Sequence, residues 1–351
     1  HHFNHPRNVV VGAIKCDTLS DLQRKAFENG VIWFVPYNNL RYELVSSEEV
    51  LNDLEIFSKV ADVKFPIDGY VIEIASNEDI KEELGYTEHH YRWQIAFKAQ
   101  SEEKVTTVRD ITWQTGRGGN ITPVLELEPV EISGATVRRV TAHNYGMLRS
   151  KKIGIGTKIS IVRSGEVIPY IKGVVENSSD EEHFIYNCPD CGSSTTLEND
   201  IIKCTNINCP SQVIGRLEHF FKTLNIDLFG PKTLEKIVEE YDYTTIQDYF
   251  INLNMSELKE MGFGNKQAEN LINSIESCKN TPYEDWKVLA SISIPNLGKG
   301  DAKKLCKVYT IDELLDVDYR ELYKINGFGE KKISSIVTGL KERIDLIKFL
   351  N

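Results

Sequence analysis

Gly262-Phe263-Gly264-Asn265-Lys266-Gln267-Ala268 and Gly327-Phe328-Gly329-Glu330-Lys331-Lys332-Ile333 share a Gly-x-Gly turn, a lysine just beyond it and a helix-like run on either side. Two weaker copies, Phe229-Gly230-Pro231-Lys232-Thr233-Leu234 and Leu297-Gly298-Lys299-Gly300-Asp301-Ala302, place the last glycine of each turn at 230, 264, 298 and 329, spacings of 34, 34 and 31. Apolar positions after the turn (Ala268, Leu271 and Ile272; Ile333, Ile336 and Val337) recur at helical spacing, so each copy reads helix, turn, helix. The glycines allow positive φ and expose backbone N–H groups at a helix N-terminus, where a phosphate oxygen is well bound. This is the chemistry of the helix-hairpin-helix element, which grips a DNA backbone without reading its sequence. A tetratricopeptide-like solenoid has a similar period and is the competing reading; the turn followed by Lys266 or Lys331 favours DNA. The first and third copies have Leu228 and Asn296 where the others have the leading glycine, which makes those two the structural ones. The candidate DNA contacts are Gly262, Gly264, Lys266, Gly298, Gly327, Gly329 and Lys331.

Upstream stand Cys188, Cys191, Cys204 and Cys209 in the pattern C-x2-C-x12-C-x4-C. Two short pairs joined by a dozen-residue loop supply the four soft ligands of a tetrahedral zinc in a segment too small to bury a core. Two disulfides are the alternative, and the lack of a secretion signal weighs against them. Four thiolates leave no open coordination position, so the expected ion is a single structural Zn2+.

Between 104 and 178 short β-branched runs (105–108, 137–141, 158–162 and 167–171) alternate with glycine turns, as expected of a five-stranded oligonucleotide-binding (OB) barrel. Charge supports this. The chain carries 41 Lys and Arg against 52 Asp and Glu, a net charge of −11 that at first sight argues against nucleic acid. By segment, residues 1–103 carry about −8, 179–210 about −5 and 211–351 about −3, whereas 104–178 carry about +5. Within the basic segment, the loop Thr115-Gly116-Arg117-Gly118-Gly119-Asn120 offers backbone approach to a phosphate, with Arg117 and Gly118 as the candidate contacts.

Residues 1–103 mix helix and strand, and the strand-like Arg92-Trp93-Gln94-Ile95-Ala96-Phe97-Lys98 ends on a lysine that either snorkels to water or faces a buried anion. With 41 % apolar and 26 % charged residues the composition is that of a globular chain of two to four domains, not a disordered tail or a collagen. No stretch approaches 18 uncharged apolar residues and no signal peptide opens the chain, which points to a cytoplasmic protein with no membrane partner.

The order of these parts is more specific than any one of them. The chain resembles the NAD-dependent DNA ligases over almost its whole length, through His5-Pro6-Arg7-Asn8, Ile67-Asp68-Gly69, Leu84-Gly85-Tyr86-Thr87, Arg92-Trp93 with Ala96-Phe97-Lys98, Thr115-Gly116-Arg117, Ile121-Thr122-Pro123-Val124, Leu127-Glu128-Pro129-Val130, His143-Asn144, Gly165 with Val167-Ile168-Pro169, and the cysteine quartet. The resemblance implies a multidomain α+β architecture: the C-terminal part of an adenylation (nucleotidyltransferase) domain over 1–103, an OB fold over 104–178, a four-cysteine zinc finger over 179–212 and four helix-hairpin-helix units over 213–346. It implies NAD+ as adenylate donor, Mg2+ in the complete enzyme and nicked duplex DNA as partner. In that family a lysine takes AMP from NAD, the AMP passes to the 5′-phosphate of a nick, and the 3′-hydroxyl displaces it. Lys98 would meet the adenylate phosphate, Asp68 a metal or the nick end, Arg7 the nick phosphate or the nucleotide, and Arg117 the DNA backbone.

Four departures qualify this. The Lys-x-Asp-Gly tetrad of the family's nucleophile occurs nowhere in the 351 residues, nor does the preceding nicotinamide-binding domain. Glu73 stands where the family has a phosphate-contacting lysine of the nucleotide site, and Lys15 where an arginine is usual. No carboxy-terminal BRCT domain follows the last helical unit. The expectation is therefore the back part of a nick-sealing enzyme, inactive alone, completed by a missing N-terminal segment or a front-half subunit, at a bacterial nucleoid or a viral replication site. A degenerate, non-catalytic ligase module that clamps nicked duplex is the alternative, favoured by Glu73. A repair nuclease lacks the carboxylate cluster it would need.

Overall fold

The computed structural model describes residues 10, 13–14, 19–31, 44–46, 48, 70–75, 77–87, 90–97, 102–132, 135–164, 168–178 and 184–350. The chain divides into two compact units: His1–Thr112 with Val124–Ala142 and Lys151–Glu182, and Trp113–Pro123 with His143–Ser150 and His183–Asn351.

In the first unit, helix α1 (Asp21–Glu28) starts at a capping box in which the Ser20 and Gln23 side chains satisfy each other's backbone N–H groups. Strand β1 (Tyr70–Glu73) pairs antiparallel with β2 (Gln94–Phe97), and between them lies α2 (Glu78–Leu84), stopped by Gly85 at φ +65°. The Tyr91 and Trp93 rings stack at 4.8 Å, and Lys81 Nζ sits 4.8 Å from the centre of the Trp93 ring.

Five strands make the barrel: β3 (Glu103–Thr115), β4 (Asn120–Ile132), β5 (Ala135–Thr141), β6 (Lys158–Ser164) and β7 (Ile168–Glu176). Their hydrogen-bonded order is β7-β6-β3-β4-β5, and β5 lies beside β7, which returns the sheet on itself. Val108, Leu125, Leu127, Ile132, Val140, Ile159 and Ile161 fill its interior. The first three β-branched runs of the sequence fall within these strands, and so does the fourth over 168–171, its first residue lying outside the described ones. Strand β4 is not among those runs because Pro123 and Pro129 interrupt the pattern; its register shifts between Glu126 and Val130, where an irregularity absorbs the second proline.

The second unit contains a small hairpin, β8 (Thr195–Glu198) with β9 (Ile201–Cys204), turned by Asn199 and Asp200 at φ +47° and +67°. Strand β9 also pairs with the start of β4 through Ile202 and Ile121. Helix α3 (Tyr145–Lys151) begins where the Asn144 side chain accepts from the Met147 amide, which gives the His143-Asn144 pair a capping role. Its Gly146 leaves no room for a side chain, because a Cβ would meet Cβ of Asp200 at 2.3 Å.

The remainder is helical: α4 (Pro210–Thr223), α5 (Pro231–Tyr241), α6 (Ile246–Ile251), α7 (Met255–Glu260), α8 (Asn265–Lys279), α9 (Asp285–Ser291), α10 (Lys299–Cys306), α11 (Ile311–Asp316), a 3-10 turn (Glu321–Lys324), α12 (Glu330–Glu342) and α13 (Ile344–Leu350). Two apolar cores divide it. One is built from residues 213–278 around Phe220, Phe221, Leu234, Tyr249 and Leu271, the other from 289–347 around Leu289, Leu305, Leu322, Ile336 and Ile347. Each core therefore holds two hairpin units, and Leu346 and Leu350 pack against both cores.

Candidate nucleic-acid interface and metal centre

The four hairpins share one backbone. Two residues before each helix-start glycine the chain is left-handed: Leu228 at φ +76°, Gly262 at +82°, Asn296 at +61° and Gly327 at +88°. The sequence marks Leu228 and Asn296 as departures, yet these residues adopt the glycine conformation. For leucine, whose Cβ crowds the carbonyl there, that costs about 1–2 kcal/mol, so it is tertiary packing that holds the turn.

Gly230, Gly264, Gly298 and Gly329 then cap α5, α8, α10 and α12 with extended backbone and no side-chain acceptor. Nothing lies within 4 Å of where a Cβ would stand on any of the four. Three other helices differ: Thr245 with Asp248, Asn254 with Glu257, and Thr310 with Glu313 form complete capping boxes at α6, α7 and α11. The helices that follow the hairpins thus leave their first-turn N–H groups to an acceptor from outside, and an oxyanion suits the positive end of the helix dipole. Lys266 and Lys331 are exposed one residue beyond those helix starts.

Sequence reasoning missed the residues at which paired hairpins meet. Six residues after the glycine cap of the first unit, Lys236 places Nζ 4.8 Å from the ring centre of Phe263, in the turn of the second unit. At the same step in the third unit, Lys304 donates to the Asn326 carbonyl at 3.3 Å in the turn of the fourth. In the fourth unit the position is Ser335, which donates to Pro295 O at 2.8 Å and accepts from Asn296 Nδ2 at 3.1 Å. The signal was present as a lysine recurring six residues after Gly230 and Gly298.

The four cysteines converge: their Sγ atoms all lie within 4.8 Å of one another, with Cys188 to Cys209 at 3.9 Å and Cys191 to Cys204 at 3.5 Å. Tetrahedral Zn–S bonds of about 2.3 Å separate the sulfurs by about 3.8 Å, whereas a disulfide needs about 2.05 Å. All four are free thiols, which removes the disulfide alternative, and the set fits one tetrahedral cation. Burial raises the thiol pKa of Cys209 and Cys204, while a Ser193 hydrogen bond lowers that of Cys191. Three of the four thiols are buried, and a bound cation is what would stabilise them as thiolates there. The local chain brings the two cysteine pairs into place: Gly192 turns at φ +71° after the first pair, and Cys209 is itself the N-cap of α4.

This module also seats the loop carrying Arg117. The Gly119 carbonyl accepts from the Cys204 amide at 2.8 Å, and with Gly119 at φ +82° a Cβ would come 2.4 Å from Cys204 O. Gln212 of α4 donates to the carbonyls of Cys204 and Asn206, each at 3.0 Å. Arg117 and Gly118 are exposed at the tip. Six of the eleven basic residues of 104–178 pair with carboxylates: Lys104 with Glu102, Arg109 with Glu128, Arg139 with Glu126, Arg149 with Asp200, Lys158 with Glu176 and Lys172 with Glu103. Exposed pairs of this kind are worth about 0–1 kcal/mol each and exchange readily for a phosphate.

Lys98, Asp68 and Arg7 lie outside the described residues. Glu73 is exposed on β1 opposite Gln94, whose amide donates to its carboxylate at 2.8 Å. No helix among the described residues is long and apolar enough to cross a membrane.

Three family models match. Residues 17–102 match "NAD-dependent DNA ligase adenylation domain", 105–183 "NAD-dependent DNA ligase OB-fold domain", and 224–277 with 289–342 "SAM-like Helix-hairpin-helix tandem". Among curated proteins, the chain is similar to the DNA ligase of Desulfatibacillum aliphaticivorans, 42 % identical over 97 % of this chain and 54 % of that protein. It is also similar to those of Psychromonas ingrahamii, 37 % identical over 96 % and 52 %, and Ruthia magnifica, 36 % identical over 97 % and 55 %. The chain spans about half the length of the curated relatives it matches. With an adenylation domain, an OB fold and a helix-hairpin-helix tandem in family order, the chain belongs to the NAD-dependent DNA ligase family.

Proposed function

We propose that this chain forms the DNA-gripping and nucleotide-handling part of an NAD-dependent ligase that seals nicks in duplex DNA. The observation that carries the proposal is the set of four equivalent hairpins, each ending in a glycine-capped helix with an open N-terminus, joined in one chain to the ligase OB fold. Backbone amides at the hairpins and Arg117 on the barrel loop hold the duplex by its phosphates, independent of base sequence and sensitive to salt. Lys98 stabilises the charge that develops on the adenylate phosphate, Asp68 positions a metal ion or the nick end, and Arg7 holds the nick phosphate. NAD+ is the substrate that supplies AMP, and Mg2+ lowers the cost of bringing the phosphates together. Cys188, Cys191, Cys204 and Cys209 hold one Zn2+, which fixes the module that seats the Arg117 loop.

The test is a sealing assay. The chain, supplied with a front half bearing a Lys-x-Asp-Gly segment, is given a nicked duplex, NAD+ and Mg2+. Sealing that disappears in Lys98→Ala is expected. Binding of the nick without sealing, in every such mixture, would establish a non-catalytic clamp instead.

A further inference from the structure

His219 projects from α4, half-buried, and both of its ring nitrogens are engaged. Nδ1 lies 3.0 Å from Arg117 Nη1, and Nε2 lies 2.9 Å from the carbonyl oxygen of Ala290 on α9. A guanidinium can only donate, so Nδ1 accepts; a carbonyl can only accept, so Nε2 carries the proton. The two partners select one tautomer of the neutral ring. The surroundings maintain it: burial first, then the positive charges of Arg117 and Lys299, oppose a second proton, against the pull of the Ala290 carbonyl and Glu218.

A solvated arginine carries rotamer entropy that a phosphate contact must overcome. A carboxylate partner would order it but offset its charge. A neutral imidazole orders it and leaves the charge intact. The backbone at Arg117 is already held, because Gly215 abuts Arg117 itself and Gly119, two residues on, abuts Cys204, so the side chain is the remaining freedom.

We propose that His219 is a positioning residue for Arg117, accepting a hydrogen bond from the guanidinium so that the loop arginine is presented, fully charged, to a DNA phosphate. The inference rests on the reading that Arg117 meets the DNA backbone.

The test measures binding of the 351-residue chain to a nicked duplex across a salt series, for Arg117→Ala, His219→Ala and the double variant. Arg117→Ala is expected to weaken binding about five- to tenfold and to reduce the salt slope by about 1. His219→Ala should weaken it about threefold, and by nothing further once Arg117 is gone. Two replacements separate orientation from anchoring. His219→Asn keeps an acceptor near the place of Nδ1 and should bind like the parent; His219→Gln keeps only a donor toward Ala290 and should resemble His219→Ala. Equal losses from His219→Ala with and without Arg117, or rescue by Gln and not by Asn, overturn the positioning role and leave the DNA reading standing. Parental binding by Arg117→Ala removes both. If His219→Ala fails to fold, the Asn and Gln variants carry the decision.

Discussion

Gly215 of α4 lies so close to Arg117 that a Cβ on it would stand 2.9 Å from the arginine Cβ and 3.2 Å from its Cα. Contact at that range is possible only because residue 215 has no side chain, and the nearest atoms include backbone, which cannot swing aside. The 115–120 loop is therefore held by glycines on two sides, Gly215 on the helix and Gly119 against Cys204.

Gly215→Ala should consequently lift the loop from α4. Overpacking of this kind costs about 1–3 kcal/mol, and nicked-duplex affinity should fall as the Arg117 hydrogen bond to His219 is pulled apart. Gly118, with nothing within 4 Å, is the control for stability: Gly118→Ala should change it by less than about 0.5 kcal/mol. Urea unfolding of both variants checks the contrast, and equal stability of the two would show that the helix tolerates the clash.

Removal of the metal should unfold the module locally. Elemental analysis is expected to give about one zinc per chain, and chelation or Cys204→Ser should abolish protection from proteolysis over residues 184–209 while the hairpin helices keep their melting transition. The Arg117 loop should loosen at the same time, because the Gly119 carbonyl loses its Cys204 partner. Thiol titration that finds fewer than four free cysteines in this segment after denaturation and chelation would contradict the metal reading.

How far these relationships can be read from the sequence depends on distance along the chain. The cysteine spacing and the Gly-x-Gly turns are local signals, and both correspond to what the structure brings together. Strand β4 is hidden because prolines obscure an alternation that is plain once burial is known, with Ile121, Pro123, Leu125 and Leu127 all facing inward. The turn at Leu228 lacks the glycine that would announce it, although packing imposes the left-handed backbone regardless. The Arg117 to His219 hydrogen bond joins residues 102 positions apart, and no pattern in either segment announces it.

Acid should weaken the fold through His219. Burial, Arg117 and Lys299 hold its pKa below the ordinary imidazole value near 6.5. As pH falls below that value the unfolded chain takes up a proton that the folded chain refuses, so stability declines until the folded-state pKa is passed and then levels off. Above the unfolded-state pKa the ring is neutral in both states and contributes no pH dependence. His219→Asn should remove this component of the slope. Denaturant midpoints for parent and variant at about pH 7 and about pH 5.5, on either side of the ordinary imidazole value, test it. The same loss of stability in both would exclude His219 as its source.

Aspartate at the helix-start glycines should move stability and DNA binding in opposite directions. Gly264→Asp and Gly329→Asp place a carboxylate where space is open, supply the missing acceptor to the first-turn N–H groups and face the positive end of α8 or α12. Together these effects stabilise by a few tenths to about 1 kcal/mol. The same carboxylate occupies the place proposed for phosphate and repels it, so affinity for nicked duplex should fall tenfold or more. Gly230→Asp and Gly298→Asp stabilise equally but should cost less affinity. Lys236 and Lys304 add charge at the second and fourth turns, whereas Ser335 stands at the third, and the matching residue of the second unit, Asn270, is uncharged. Equal losses at all four glycines would instead assign the grip to backbone geometry alone, which Leu228, Gly262, Asn296 and Gly327 share.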